Sequence, residues 1–270
     1  MDEPLYSVDG VSYRYGPGWA LRDVTFTVGG GESLAILGAN GSGKSTLLKI
    51  LNGLVFPSGG GVRFMGAPLT EAGLKGNLLR CFRERVGFVF AEPDVQLFCP
   101  TVSDEVAFGP LQLELPAKEA ASRVEELLSM LGITALSQRP PWTLSTGEKK
   151  KVAIAAVLAV NPDVLLLDEP TNGLDPRTQV WLFELIESLK GLKKTCIMST
   201  HDLSLVEDLA ERALVIDESH RLVADGAARE VLRNKDLLLA ANLIHEHTHR
   251  HGDVVHIHSH GPFGMHDEHE

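Results

Sequence analysis

Residues 38–45 read Gly38-Ala39-Asn40-Gly41-Ser42-Gly43-Lys44-Ser45, a G-x-x-x-x-G-K-[ST] spacing in which each residue type has its own task on a chain of phosphates. Gly38, Gly41 and Gly43 carry no Cβ, so the backbone can approach closely and turn successive N–H groups toward bound oxygens. Lys44 supplies a cation for the β- and γ-phosphates, and the Ser45 hydroxyl is a ligand for Mg²⁺. The apolar run 33–37 ahead of the loop has the character of a buried strand, and 46–51 after it, opening on Thr46, has helical spacing. The glycines therefore belong at a strand-to-helix turn, where a helix N-terminus adds its own attraction for anions.

A phosphate loop alone specifies no more than a nucleoside triphosphate. Residues 164–169 narrow the reading, because this apolar run ends in Asp168 and Glu169, as expected of a buried parallel strand that delivers carboxylates to its carboxyl end. Asp168 is placed to hold Mg²⁺, directly or through water. Glu169, one residue on, points elsewhere and is suited to polarise an attacking water. A third piece, Leu144-Ser145-Thr146-Gly147-Glu148, precedes the basic Lys149-Lys150-Lys151 and a further apolar stretch. Ser145 can cap a helix whose N-terminus forms a second anion site. Such a cap is common by itself and gains meaning from lying just upstream of Asp168 and Glu169.

In this order the motifs resemble the nucleotide-binding subunit of an ATP-binding cassette (ABC) transporter, and the likeness runs along nearly the whole chain. Residues 38–45 match the Walker A segment, 144–148 the signature segment and 164–169 Walker B. Gly173-Leu174-Asp175 matches the D-loop, and His201, within Ser199-Thr200-His201-Asp202, the switch histidine. The resemblance implies ATP and Mg²⁺ as cofactors, nucleotide contacts from Gly38 through Thr46, Glu169 as the base and His201 as sensor of the γ-phosphate. It also implies an adenine stacked on Tyr15, with Tyr13 the nearby competitor. Ser145, Thr146, Gly147 and Asp175 would meet the nucleotide of a second ATPase subunit, identical or not, across a dimer. The fold implied is an α/β P-loop NTPase with a RecA-like core, an antiparallel β portion and an inserted helical subdomain at about 92–160.

Residues 86–98 (Val-Gly-Phe-Val-Phe-Ala-Glu-Pro-Asp-Val-Gln-Leu-Phe) and 101–110 are similar to the Q-loop region of energy-coupling-factor ATPases, the branch that serves cobalt, nickel and vitamin uptake. Two positions depart from that pattern. Ala91 stands where the family has the glutamine that touches Mg²⁺ and presses on the membrane partner, so the resemblance implies a water-completed metal shell or slower turnover. Gln96 is assigned to a helix and not to the missing role. Thr146 stands where the signature has glycine, a change read as tolerated.

The bulk properties narrow the function classes. A net charge of −11 over 270 residues argues against a nucleic-acid partner and against strong attachment to an anionic lipid surface. No apolar run reaches the 18 or so residues of a membrane span, and Met1-Asp2-Glu3-Pro4 lacks a signal-peptide pattern. Membrane attachment would then come through integral transporter subunits. Cys81, Cys99 and Cys196 are too widely spaced for a zinc finger and fit reduced, cytosolic thiols. Strand-like alternation marks 6–13, 24–28 and 62–65. Helical periods mark 118–131, 176–190 and 228–243, with a strand at 195–199 and a hairpin over 214–224.

The ATPase domain is assigned to 1–244, and the remainder is a histidine-rich tail holding nine of the eleven histidines. His245, His247, His249 and His251, then His256, His258 and His260, repeat an i, i+2 spacing that puts imidazoles on one side of an extended chain. Neutral imidazole suits Ni²⁺, Co²⁺, Zn²⁺ and Cu²⁺. The expected function is an ATPase subunit, peripheral on the cytoplasmic face, driving import of nickel or cobalt. Uptake of a vitamin or other small solute is the alternative. A non-transport ABC ATPase would want a coiled-coil insertion, a second cassette or basic surface, and the sequence has none of them.

Overall fold

The computed structural model describes residues 3–251 and 254–260, with side chains described as far as residue 244. Antiparallel β1 (Tyr6–Tyr15) and β2 (Gly18–Val28) are followed by β3 (Ser33–Leu37) and α1 (Lys44–Leu51), which flank the phosphate loop. β4 (Gly59–Phe64), β5 (Ala67–Pro68), α2 (Gly76–Arg85) and β6 (Val86–Val89) come next. A helical segment of α3 (Val102–Gln112), α4 (Ala117–Met130) and α5 (Thr146–Leu158) precedes β7 (Val164–Asp168). The chain continues through α6 (Pro176–Gly191), β8 (Thr195–Thr200), α7 (Leu203–Leu209), β9 (Arg212–Ile216) and β10 (Leu222–Ala227). Then come α8 (Ala228–Arg233), α9 (Lys235–Ala240) and a terminal hairpin of β11 (His245–His251) and β12 (Val254–His260).

The central sheet runs β10-β9-β3-β8-β7-β6, parallel throughout except for the edge strand β10. Every residue of β3, β7 and β8 is buried, the expected state of parallel strands covered on both faces. Alternate residues feed two cores. Leu34, Ile36, Leu166 and Ile197 pack with α1 and the antiparallel sheet β2-β1-β4-β5. Ala35, Leu37, Leu167 and Met198 pack with α6, α7 and the C-terminal helices. A third core joins Val102 and Val106 of α3, Val124 and Leu128 of α4, and Val152 and Ala155 of α5. This is the inserted helical subdomain, and the ABC ATPase fold class expected from the motifs is the one observed.

One helix differs from expectation. The periodicity over 228–243 predicts a single helix, whereas α8 and α9 are separate. Asn234 leaves the helical region at ψ 83 and its side chain accepts from Leu237 N, capping α9. Asparagine's cap preference thus overrides the apolar period. Gln96 also differs, since it closes a single 3₁₀ turn (Pro93–Val95) and does not sit in an α-helix.

Candidate nucleotide site

The site follows from sheet order. β3, β8 and β7 are parallel neighbours, with Leu37 opposite Thr200 and Asp168 opposite Ser199, so all three end at one edge. The phosphate loop leaves the end of β3, Glu169 the end of β7 and His201 the end of β8. Three segments far apart in sequence are therefore delivered to one point, outside the carboxyl ends of the strands where α/β folds bind ligands.

The loop is shaped by two of its glycines. Gly43 has φ 116, and a Cβ there would lie 2.1 Å from Ala20 O. A Cβ at Gly38 would lie 2.4 Å from Ile216 O. As the N-cap of α1, Gly43 offers no side chain to the first-turn N–H groups, which are left for an anion. Lys44 is buried. Its Nζ donates to Gly38 O at 2.8 Å and stands 3.0 Å from Glu169 Oε1. That second contact is an ion pair without directed hydrogen-bond geometry, so Glu169 Oε1 remains without a hydrogen-bond donor, as does the buried Ser42 Oγ.

The two adjacent carboxylates have different partners. Ser45 Oγ donates to Asp168 Oδ1 at 2.7 Å, and Ser199 Oγ donates to the same oxygen at 2.6 Å. Glu169 turns away from Asp168 through a left-handed φ of 41, held by its N–H donating to Ser199 O and Oγ. A non-glycine residue in that region stores strain on the order of 1 kcal/mol, of the kind that collects at functional sites. Its Oε2 accepts from His201 Nδ1 at 2.9 Å, since a carboxylate can only accept. Lys44, Glu169 and His201 thus form one chain of contacts beside the Ser45–Asp168 pair. The hydroxyl and carboxylate oxygens of that pair are hard donors of the kind Mg²⁺ takes.

Tyr15 is exposed and meets the half-buried Tyr13 edge-on at 4.9 Å. The signature residues lie on another part of the surface. Ser145 and Glu148 form a capping box at α5: Ser145 Oγ accepts from Glu148 N, and Glu148 Oε2 accepts from Ser145 N at 2.8 Å. These bonds hold the Glu148 carboxyl below the usual range. Thr146 has no left-handed φ, so a side chain is accommodated there without backbone strain. Asp175 is the N-cap of α6, accepting from Thr178 N and Oγ1, with its carboxyl held low by those bonds. Among the described residues no hydrogen bond links Ser145, Thr146, Gly147 or Asp175 to residues 38–45 of the same chain. The seven tail histidines expected at a transition metal fall outside the described side chains.

Three further side chains brace the site. Lys150, fully buried on α5, donates from Nζ to Phe90 O at 3.1 Å and Ala91 O at 2.8 Å. Burial pushes its ammonium down to about 8, against the pull of Asp168 and Glu169 in the other direction. Gln96 accepts from Phe90 N and donates to Ala153 O, a second tie between the Ala91 segment and α5. His220, at a left-handed φ of 65, donates from Nδ1 to Ser42 O at 3.1 Å and supports the phosphate loop from the β9–β10 turn. Lys150 stands in a run of three lysines with nothing in the sequence to mark it from its neighbours, and His220 has no motif at all.

Fold and site together define a P-loop ATPase of the cassette type. The ABC transporter family profile matches residues 21–172, more than half of the chain, so the protein belongs to that family. The nickel import ATP-binding protein NikO of Rhodobacter capsulatus is 46% identical, with 89% of this chain and 96% of NikO covered. The energy-coupling factor transporter ATP-binding protein EcfA of Methanothermobacter thermautotrophicus is 42% identical, with coverages of 86% and 74%. Among solved structures, cbiO1 of Clostridium perfringens, described as part of the ABC transporter complex cbiONQ, superposes with a TM-score of 0.75. It is 36% identical, with 90% of this chain and 96% of cbiO1 covered. The chain is an ATP-hydrolysing, ATP-binding subunit of the energy-coupling-factor type.

Proposed function

We propose that this ATPase drives import of a transition-metal ion, nickel or cobalt, through separate integral membrane subunits. The observation that carries its ATPase half is the Lys44–Glu169–His201 chain beside Ser45 and Asp168. Lys44 would bind the β- and γ-phosphates, and Ser45 and Asp168 would hold the Mg²⁺ that neutralises charge on them. Glu169 would take a proton from water while His201 orients its carboxylate. Each phosphate site is half built within one chain. The α5 N-terminus at Ser145–Gly147 and the D-loop at Asp175 would complete the site of a second ATPase subunit, with two ATP molecules between them.

The metal cargo is supported by likeness to NikO and by the composition of the tail, with 1–244 as the ATPase domain and 245–270 as a metal-handling appendage. Among the described residues no helix is long and apolar enough to cross a membrane, which agrees with a peripheral place on the cytoplasmic face beside membrane partners. The test is to purify the chain with the membrane proteins it holds, place the complex in vesicles and follow ATP-dependent uptake. Accumulation of Ni²⁺ or Co²⁺ that disappears in Glu169→Gln is the expected result. ATP-dependent uptake of an organic solute without metal would overturn it.

A further inference from the structure

The tail reads as a string of histidines, but the backbone folds it into a two-stranded antiparallel hairpin. Its register pairs His245 with His260, His247 with His258 and His249 with His256, while His251 meets Val254. Residues alternate between faces along each strand. Seven histidine positions and Val254 therefore belong to one face. Glu246, Thr248 and Arg250, opposite Ser259, Ile257 and Val255, belong to the other. The two intervening residues, Gly252-Asp253, are of the turn-forming kind. Directly opposed residues lie about 5 Å apart at Cα, and successive same-face positions about 7 Å apart. Two adjacent rungs thus gather four histidine positions within a patch that one ion can span.

We infer that the hairpin is a built divalent transition-metal site, made by cross-strand histidine rungs around His247 and His258 and separate from the nucleotide site. The juxtaposition of three His–His rungs on one face is what distinguishes it from a linear chelating tail. Imidazole nitrogen is the donor type that first-row divalent ions of borderline softness prefer. The rungs draw histidine positions from both strands, so a paired site exists only while the two strands stay paired. This rests on the metal-import reading only for which ion the cell presents. Vesicle uptake tests that reading, whereas the experiment below concerns the isolated subunit alone.

Calorimetry of the full chain, stripped with chelator and titrated with Ni²⁺ and then with Co²⁺ at pH 7.5, compares two double variants. H247A/H258A removes the central rung, while H251A/H266A removes the same number of histidines without removing a member of a His–His pair. One saturable ion per chain is expected in the wild type, with affinity at least 10-fold weaker in H247A/H258A and within about 2-fold of wild type in H251A/H266A. ATPase activity and thermal midpoint should be equal in all three, which excludes misfolding as the cause. Equal weakening in the two variants would mean linear chelation and overturn the paired site. Absence of saturable binding in the wild type would overturn it as well.

Discussion

At the scale of single residues, the site works by assigning different partners to two adjacent carboxylates. Asp168 is tied to two hydroxyls, and Glu169, turned away by its left-handed backbone, pairs instead with Lys44 and His201. Glu169→Gln keeps the shape but cannot take the proton of water, so turnover should fall by about 10²–10⁴-fold with ATP binding retained. A gel-filtration shift to a dimer only with ATP would accompany it, and full turnover would place the base elsewhere. Lys44→Ala should abolish tight ATP binding, read as loss of saturation in a nucleotide titration. Lys150 carries a second, pH-dependent prediction. Its ammonium pKa is lowered to about 8 by burial, so between about 8 and 10.5 the unfolded chain binds the extra proton. The burden of burying that cation is therefore present at neutral pH and relieved as pH rises through this window. The stability of wild type relative to Lys150→Met should increase from pH 8 to 10.5, measured as the difference between their denaturant midpoints. A pH-independent difference would show that the amine is not held in this field.

At the scale of elements, α5 is the part whose ends matter most. Ser145→Ala removes the N-cap and should cost about 1 kcal/mol, a fall of a few degrees in the thermal midpoint. Part of that cost depends on the ionised Glu148, whose carboxyl is held low by Ser145. Stability of this origin exists above the ordinary carboxylate pKa and is lost as pH falls through the folded value, so the Ser145→Ala deficit should shrink in acid. Midpoints at pH 7 and pH 3.5 decide it. The elements also show what can be read from residues alone. β3, β7 and β8 were legible because strands buried on both faces leave unbroken apolar runs, and the glycine spacing marked the loop between β3 and α1. The break at Asn234 was not legible, since a cap residue inside an apolar period carries two readings that only packing separates. Ser199's bond to Asp168 depended on strand register, and the two ties made by Lys150 and Gln96 depended on α5 lying against the Ala91 segment. Neither juxtaposition has a local pattern in the sequence.

At the scale of the whole molecule, the Ala91 segment joins the central sheet to the helical subdomain. It follows β6 directly and is held from behind by two side chains of different origin. Lys150 binds the carbonyls of Phe90 and Ala91, and Gln96 joins Phe90 N to Ala153 O. Both ties join this segment to α5, the helix whose N-terminus carries Ser145–Gly147. Both ties run through backbone atoms on the Phe90–Ala91 side, so exchanging the Ala91 side chain leaves them intact. The methyl group of Ala91 offers no polar atom to Mg²⁺ or water, and a glutamine there would add one without disturbing the connection. Ala91→Gln should therefore raise ATPase activity, and by a larger factor in the complex with membrane subunits than in the isolated chain, because only there does the segment carry both a catalytic and a coupling task. Gln96→Ala supplies the opposite case: with one tie cut, the isolated chain should keep most of its activity while stimulation by the membrane subunits falls. Steady-state ATPase assays of each variant, alone and assembled, measure both ratios. Equal factors in the two preparations for Ala91→Gln, together with undiminished stimulation in Gln96→Ala, would separate this segment from coupling altogether.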